Sequence, residues 1–360
     1  MAKKDQLLGW DVSPYTAKVH SYFNYKKIPY DYKPPNAYTL ARKVQPAVGK
    51  MIMPTVFKSN GDIIQDSSVI IDRYETTHPN PPVIPETPNH KAATLLVELF
   101  ADEWLPLAAL HYRWNYPANY DFIIGEFGKN ALPYFPRLIQ RQVAKQFAGK
   151  MSGYLPILGI SKAMQPTLEI AVEKVLGLLD AHFAQHSFLL GGHPTIGDFA
   201  LYGPLYAHLD RDPEPRDLIK KYKHLHKWLM VMHGDLNNVH ENLIKDDEIP
   251  DTLAMILKLI DTLYAPLIAA TVQSVNQWAE DNPNVDKLPQ RLGDSTITIE
   301  GKTETRYNLT YGYWMLQRMY DYLELKDKPN SLNGMLAELA LLQLEPKLKV
   351  QLKKTRLYRA

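Results

Sequence analysis

The 360-residue sequence contains no cysteine. Disulfide bridges, thiolate zinc sites and a cysteine nucleophile are therefore excluded for this chain. Any thiol that takes part in its chemistry must come from a ligand. His182 and His186 are four residues apart, but no third ligand with metal-site spacing accompanies them, so we expect no bound metal.

The sequence also lacks an excess of charge and any long apolar run. With 41 Lys and Arg against 39 Asp and Glu the formal charge is +2, which disfavours a nucleic-acid partner. No run approaches the roughly 18 apolar residues of a membrane span, and residues 1–11 lack a signal-peptide core. We therefore expect a soluble, cytoplasmic protein with a small-molecule partner and no membrane span.

The patterns that are present divide most of the chain into two domains. Residues 1–80 alternate strand-like and helix-like segments in the order strand, helix, strand, hairpin and helix, which predicts a small α/β domain. Residues 78–89 (HPNPPVIPETPN) include five prolines and mark a boundary. Apolar spacing of three to four residues then predicts an all-helical domain over 91–248, with an aromatic-rich insertion at 115–160.

Three short motifs in the first domain indicate a ligand site. Ser13-Pro14 precedes an amphipathic run, and capping alone explains the pair, because serine is favoured at the N-cap and proline at N1. Met53-Pro54 opens the third strand, where proline indicates a special turn. Asp66-Ser67 joins the fourth strand to a helix, whose N-terminus suits an anion.

In this order the motifs resemble those of the glutathione transferase superfamily. The segment SPYTAKV, residues 13–19, is similar to the serine-type active-site motif of that family. Met53 stands where the family has the residue before its cis-proline, and Asp66-Ser67 is similar to its acidic-serine pair. The absence of cysteine at position 13 disfavours the thioltransferase chemistry of the cysteine-type classes.

A fourth motif extends the resemblance into the second domain. The segment FLLGGHPTIGDFALYGPL, residues 188–205, is similar to the signature of the family's helical domain, with Thr195 and Asp198 as a capping box. The resemblance covers about residues 5–248. It implies a thioredoxin-like domain followed by an all-α domain.

The resemblance also implies glutathione as co-substrate. Its thiol would lie at the positive end of the first helix dipole and accept a hydrogen bond from Ser13, with Tyr15 beside the sulfur. Both effects favour the thiolate, which is the nucleophile. The predicted activity is therefore the addition of glutathione thiolate to a hydrophobic, electrophilic small molecule.

The remaining positions of the resemblance imply how the tripeptide is held. Met53 would bind the cysteinyl backbone through its own main chain, next to Pro54. Asp66 would pair with the γ-glutamyl ammonium, and Ser67 would meet the carboxylate. Lys50 could reach the glycyl carboxylate, although an ordinary loop lysine explains it equally well.

The acceptor pocket is predicted from the first helix of the second domain. That helix offers an aromatic set suited to an apolar substrate, although aromatic residues at helical spacing are more often core: Trp104, Leu107, His111, Tyr112 and Trp114. The family's two-fold arrangement implies a homodimer. Isomerisation, dehalogenation and ether cleavage begin with the same thiolate and remain alternatives, as does a non-catalytic binding protein.

The last region, residues 249–360, is an extension that ordinary family members lack. It is predicted to contain a hairpin around Gly301 and to be otherwise mostly helical, and the basic tail 346–359 is expected to be a solvated helix end. One helical stripe is too apolar to remain in water: Tyr311, Trp314, Met315 and Tyr322. We expect the extension to dock on the helical domain beside the insertion and, with it, to roof the acceptor site.

Overall fold

The chain folds into two units, each built from three stretches. Unit 1 comprises residues 1–83, 109–154 and 199–241, and unit 2 comprises residues 84–108, 155–198 and 242–360. The computed structural model describes all residues except 1–3, 235, 237, 238, 240, 241, 325–331 and 333. The region predicted as one helical domain is thus divided between the units, because helices that begin in one unit continue into the other.

Unit 1 contains a four-stranded mixed sheet. Strand β1 (Asp5–Leu8) runs parallel to β2 (Tyr30–Lys33) and antiparallel to β3 (Thr55–Phe57), which pairs with β4 (Ile63–Gln65) in a hairpin. The strand order is β2-β1-β3-β4. This topology is thioredoxin-like, as the sequence predicted.

Short helical segments cover the sheet of unit 1. Helices α1 (Pro14–Tyr25) and α4 (Ser67–Glu75) pack together, and Tyr22, Phe23 and Ile70 are fully buried there. Three more segments follow β2: α2 (Ala37–Thr39), the π-helical turn Leu40–Val44 and α3 (Gln45–Val48). They place Leu40, Val44 and Val48 against Leu8 in a second apolar cluster.

The rest of unit 1 is helical. Its segments are the second half of α6 (Leu105–Asn115), α7 (Pro117–Ala131), α8 (Arg137–Ser152), the end of α10 (Ile196–Pro204), the π-helical turn Leu205–Asp210, α11 (Pro213–Ile219) and α12 (Lys223–His233). The predicted insertion is therefore mostly a helical hairpin, α7 and α8. Helix α8 buries only Ala144 and Ala148.

Unit 2 is built around three long helices: α5 (Pro88–Glu103), α9 (Gln165–Phe183) and α13 (Asp251–Asp281). The 31-residue α13 is, by length and composition alone, apolar enough to cross a bilayer, and it is the one such helix among the described residues. A core helix of a soluble protein meets the same criterion. Half of its most apolar stretch is buried, and its buried residues include Leu253, Leu257 and Val275.

The extension continues from α13 as two hairpins around one helix. Strands β5 (Arg291–Ile299) and β6 (Lys302–Leu309) form the hairpin predicted around Gly301, whose φ is +75°. Helix α14 (Tyr311–Leu323) then buries ten of its thirteen residues. Of the predicted apolar stripe, Trp314 and Met315 are buried, whereas Tyr311 and Tyr322 are half-buried. Tyr313, Leu316 and Met319, outside the stripe, are also inside.

The sequence predicted that the basic tail is a solvated helix end, and this prediction is wrong. The tail forms a β-hairpin. Strands β7 (Val350–Lys353) and β8 (Arg356–Arg359) pair antiparallel. Gln317 of α14 donates from Nε2 to the Val350 carbonyl (2.9 Å) and accepts from its N–H (2.7 Å), so a side chain substitutes for a neighbouring strand. Period-two alternation of apolar residues, with Val350 and Leu357 buried, is the signal that favours strands here.

Candidate functional site

Ser13 forms the N-cap of α1. Its backbone is extended (φ −98°, ψ 120°), and its Oγ accepts a hydrogen bond from the Thr16 N–H at 3.3 Å, while Pro14 occupies N1. This contact uses the oxygen as an acceptor, so the hydroxyl proton can be donated to a ligand. The side chain is half-buried. Capping and thiol binding are therefore compatible at this position.

Two glycines let the backbone approach α1 closely. A Cβ on Gly9 would lie 2.2 Å from Thr16 Cγ2, and Thr16 is buried. A Cβ on Gly203 would lie 2.6 Å from the Pro14 carbonyl oxygen. A residue with a Cβ at either position would require displacement of its neighbour, so both close approaches to the first turn of α1 depend on glycine.

A buried arginine fixes the residue before Ser13. Arg113 of α6 donates from Nη1 to the Val12 carbonyl at 2.8 Å and from Nη2 to the Ala207 carbonyl at 2.6 Å. It also forms a bidentate pair with Asp212, at 2.9 Å for both Nε and Nη2. Its Nη1 lies 3.0 Å from Nε2 of His208.

Burial and the neighbouring charges determine the ionisation of the groups around Arg113. Arg113 is 2% exposed and Asp212 is 0% exposed, so each needs the other as a partner. Burial raises the pKa of Asp212, an effect that Arg113 opposes. Burial and the same guanidinium hold the pKa of His208 well below its usual range, so this imidazole is neutral and can accept from Arg113. The sequence analysis missed this network, because its members are about one hundred residues apart.

Strand register brings the three predicted motifs to one edge of the sheet. Leu8 pairs with Thr55, and Thr55 pairs with Gln65. Leu8, Thr55 and Gln65 therefore form one row across β1, β3 and β4. This row adjoins the loop that leads to Ser13, the Met53-Pro54 bond and Asp66. The Met53-Pro54 peptide is cis, as the resemblance implied. Pro54 is buried and Met53 is half-buried.

Asp66 caps α4 with an unusual backbone conformation. Its φ is +85° and its ψ is 130°, a region that non-glycine residues rarely adopt and that occurs mostly at functional sites. Its Oδ1 accepts from the N–H groups of Ser68 (3.0 Å) and Val69 (3.2 Å). Asp66 and Ser67 are 8% and 4% exposed. At least one Asp66 oxygen is therefore occupied by helix capping.

A buried lysine connects the two capped helices. Lys18 of α1 is 1% exposed, and its Nζ donates to Ser68 Oγ of α4 at 3.2 Å. A lysine rarely becomes this buried without polar partners. The starts of α1 and α4 are thus tied together from inside unit 1.

The other predicted site residues are dispersed. Tyr15 and Lys50 are half-buried in unit 1. Trp104 belongs to unit 2, where it is 0% exposed and stacks on Phe100 at 4.9 Å between ring centroids. A ligand could reach its ring only if the surrounding core moved.

Tyr112 and Trp114 belong to unit 1 and are 5% and 8% exposed. The Trp114 ring lies edge-on to Phe127 of α7, at 6.1 Å between centroids. Phe127 in turn lies 5.5 Å from Trp10, which precedes Ser13 by three residues. An aromatic path therefore leads from α6 through the helical hairpin of the insertion to the Ser13 loop. Phe127 and Trp10 were not among the predicted pocket residues.

A polar and aromatic cluster lies beside the same loop. Asp11 accepts a hydrogen bond from the Tyr32 hydroxyl at 2.7 Å, and His20 stacks on the Tyr32 ring at 4.9 Å. Arg211 forms an ion pair with Glu126 of α7 at 3.2 Å. Burial lowers the pKa of His20, so the ring is mostly neutral at neutral pH.

The histidine pair of the sequence analysis lies in unit 2. His182 is 0% exposed, its Nδ1 lies 2.8 Å from Thr252 Oγ1, and its ring centroid lies 4.9 Å from that of His186. Among the described residues, no group of three or more histidines and carboxylates could hold a metal ion.

The helical-domain motif is a folding element, as the sequence analysis proposed. Asp198 Oδ2 accepts from the Thr195 N–H at 2.9 Å, and Asp198 Oδ1 accepts from the Leu189 N–H at 3.0 Å. The Gly197 N–H is capped from α5, by Thr94 Oγ1 at 2.8 Å. All of these groups are buried in unit 2.

Comparison with known families agrees with this geometry. Residues 7–82 match the glutathione S-transferase N-terminal domain, and residues 164–229 match the glutathione S-transferase C-terminal domain. The chain belongs to the glutathione S-transferase superfamily. Residues 83–163 and 230–360, which include the insertion and the extension, lie outside both matched regions.

Among curated proteins, the chain is similar to two relatives from Arabidopsis thaliana. It is 34% identical to glutathione S-transferase U4 over 109 residues, which are 29% of this chain and 47% of the relative. It is 26% identical to glutathione S-transferase U3 over 167 residues, 44% of this chain and 71% of the relative. The chain thus spans about half the length of U4.

Among solved structures, the chain is similar to the beta-etherase LigF from Sphingobium sp. strain SYK-6. The TM-score is 0.45 and the sequence identity is 13%. The similar region covers 71% of this chain and 99% of the etherase. A likeness at this level says nothing about the chemistry of this chain.

Proposed function

We propose that this chain is a serine-type glutathione transferase, in which Ser13 stabilises the thiolate of bound glutathione. The observation that supports this proposal is the position of Ser13: an N-cap hydroxyl at the positive end of α1, directly after Val12, whose carbonyl accepts a hydrogen bond from the buried Arg113. A thiol there would meet the helix dipole and the Ser13 hydroxyl. Both lower a thiol pKa from about 8.5, so more of the nucleophilic thiolate is present at neutral pH.

The proposed binding of glutathione uses the sheet edge. The main chain at Met53, beside the cis bond to Pro54, would pair with the cysteinyl backbone. The positive end of α4 and the Ser67 side chain would receive the γ-glutamyl carboxylate. Asp66 would contribute negative charge near the ammonium while it continues to cap α4. Lys50 remains a proposed contact for the glycyl carboxylate.

The proposed acceptor is a hydrophobic electrophile. Tyr15 and the aromatic path from Trp10 through Phe127 to Trp114 offer apolar surface near Ser13. Tyr112 is kept in the proposal, and Trp104 would take part only after rearrangement of its core. Conjugation, isomerisation, dehalogenation and ether cleavage share the thiolate step and differ in the acceptor.

The test is the activity and thiol pKa of a Ser13 variant series. Ser13→Ala should raise the pKa of the thiol of bound glutathione and slow conjugation by about 10- to 1,000-fold, with a smaller loss of glutathione affinity. Ser13→Thr keeps the hydroxyl and should retain more activity. Ser187→Ala, an exposed serine in unit 2, is the matched control and should change neither quantity. Unchanged rates for Ser13→Ala across a panel of electrophiles would remove Ser13 from the mechanism.

A non-catalytic binding role is the second candidate. Its supporting observation is that residues 230–360 lie outside both family models and serve no step of the simple mechanism. Calorimetry with glutathione separates the two. A micromolar constant with proton release supports the transferase, whereas no binding at millimolar glutathione supports the second candidate.

Assembly and location belong to the same proposal. We propose a cytoplasmic homodimer without a membrane span, on the model of the family. Light scattering at micromolar protein tests the dimer, and a monomer mass would overturn it.

A further inference from the structure

The turn between α7 and α8 exposes apolar side chains to an unusual degree. Tyr134 is 92% exposed, Leu138 81% and Phe135 51%. The exposure continues along and just beyond α8, at 40–49%, through Ile139, Phe147, Met151 and Tyr154. A concentration of exposed apolar side chains of this kind indicates an interaction site.

This turn has a fixed shape. The Gln140 side chain donates from Nε2 to the carbonyls of Leu132 (3.0 Å) and Phe135 (2.9 Å). A Cβ on Gly128 of α7 would lie 2.8 Å from the Gln140 backbone, so the two helices are in tight contact. Arg141 of α8 also forms an ion pair with Asp121 of α7. The exposed side chains of the turn are therefore presented by a braced scaffold.

The same segment has an unbalanced charge. Residues 127–154 contain five basic residues and no Asp or Glu: Lys129, Arg137, Arg141, Lys145 and Lys150. The complete chain is nearly neutral, with 41 basic and 39 acidic residues. Arg137, Lys145 and Lys150 are exposed. Exposed apolar and basic side chains thus share one helical hairpin.

We propose that the α7–α8 hairpin docks on the surface of an anionic lipid bilayer. Tyr134, Phe135 and Leu138 would enter the interfacial region, where aromatic rings are favoured, and the basic residues of α8 would meet the anionic headgroups. A second copy of this chain fits less well. A two-fold contact through this surface would bring together two segments that both carry an excess of basic residues.

Co-sedimentation of the full chain with vesicles tests this proposal. Vesicles of phosphatidylcholine with phosphatidylserine should retain the protein, and those of phosphatidylcholine alone should retain at least tenfold less. Increasing salt should weaken the binding, because part of it is electrostatic. Equal retention by both vesicle types, or by neither, would overturn the proposal.

Two double variants separate the apolar and the charged contributions. Tyr134→Ser with Leu138→Ser, and Lys145→Glu with Lys150→Glu, should each lower the partition coefficient at least tenfold. The matched controls are Tyr38→Ser, which alters a 73% exposed tyrosine elsewhere in unit 1, and Lys220→Glu with Lys221→Glu. Both controls should bind as the parent chain does.

Light scattering on the same proteins addresses the alternative occupant. The proposal expects the mass in solution to be unaffected by Tyr134→Ser with Leu138→Ser. If this pair instead dissociated a dimer while vesicle binding was unchanged, the surface would be an interface between copies and the proposal would be wrong. The readouts need no glutathione, so they are independent of the proposed function.

Discussion

Helix α14 of the extension and helix α8 of the insertion are both additions to the family fold, yet they treat their apolar residues in opposite ways. Helix α14 buries ten of thirteen residues, whereas α8 buries two of sixteen. Their ion pairs differ in the same sense. Arg318 of α14 and Glu98 of α5 are 7% and 1% exposed, whereas Arg141 and Asp121 of the hairpin are 39% and 71% exposed.

This difference in burial indicates that the extension and the insertion have different roles. The extension completes the core of unit 2, because α13 and α14 supply partners for α5 and α9. Helix α8 adds little to a core and presents a surface. The sequence alone does not distinguish the enclosed helix from the exposed one, since both α14 and α8 contain apolar, aromatic and basic residues. The four experiments that follow would break or sharpen the comparison.

Deleting residues 249–360 should have the largest effect. The truncated chain loses α13 and α14, the two helices of the extension that pack on α5, so apolar surface of α5 that is now buried becomes exposed. We expect an insoluble protein or one that binds hydrophobic dyes. A soluble product with an unchanged melting temperature would show that the extension is a separate module.

Arg318→Met should destabilise the protein by about 3–5 kcal/mol, because Glu98 would remain charged and buried. The matched change on the hairpin is Arg141→Met, which breaks a solvent-exposed pair and should cost about 0–1 kcal/mol. Urea unfolding measures both. Similar losses in the two variants would contradict the contrast between buried and exposed additions.

Leu316→Ala should cost about 2–5 kcal/mol, since Leu316 is 0% exposed and the substitution leaves a cavity. Leu138→Ala, at an 81% exposed position, should stay within about 0.5 kcal/mol. The comparison uses the same chemical change on each addition. A large loss for Leu138→Ala would mean that the turn carries core packing.

Acidification should weaken the contact of α9 with the extension at His182. Burial, with a smaller effect of His186, lowers the pKa of His182 from 6.5 to about 4. Below pH 6.5 the unfolded chain binds a proton here that the folded chain does not, so this stability is present above pH 6.5 and is lost as pH falls toward about 4. The loss is at most about 3 kcal/mol.

The matched variants for the pH experiment are His182→Asn and His224→Asn, a buried and an exposed histidine. Urea unfolding at several pH values should show a shallower pH dependence for His182→Asn only. Equal slopes for the parent chain and His182→Asn would contradict the assignment.

Much of the candidate site could be read from local sequence. Ser13-Pro14 predicted a helix N-cap, and the pattern of the third and fourth strands predicted a hairpin; the structure has both. Period-two and three-to-four-residue patterns gave the order of strands and helices. These features depend on neighbours within a few residues, which is why sequence alone determined them.

The supports of the site required the tertiary structure. Arg113 reaches Val12 and Asp212, and Lys18 reaches Ser68, over separations of 50 to 101 residues. No periodic signal links such partners, because a buried charge is satisfied by whichever polar group the fold brings within about 3 Å.

The fate of apolar side chains was decided in the same way. The sequence by itself determined that α14 is a helix with an apolar stripe, and that β5 and β6 form a hairpin. Only the tertiary structure decided that α14 is enclosed, that the tail pairs as β7 and β8, and that Tyr134 and Leu138 remain in solvent. The physical reason is that burial depends on which surface another segment covers, and the local pattern of a helix is the same whether its apolar side meets a core or water.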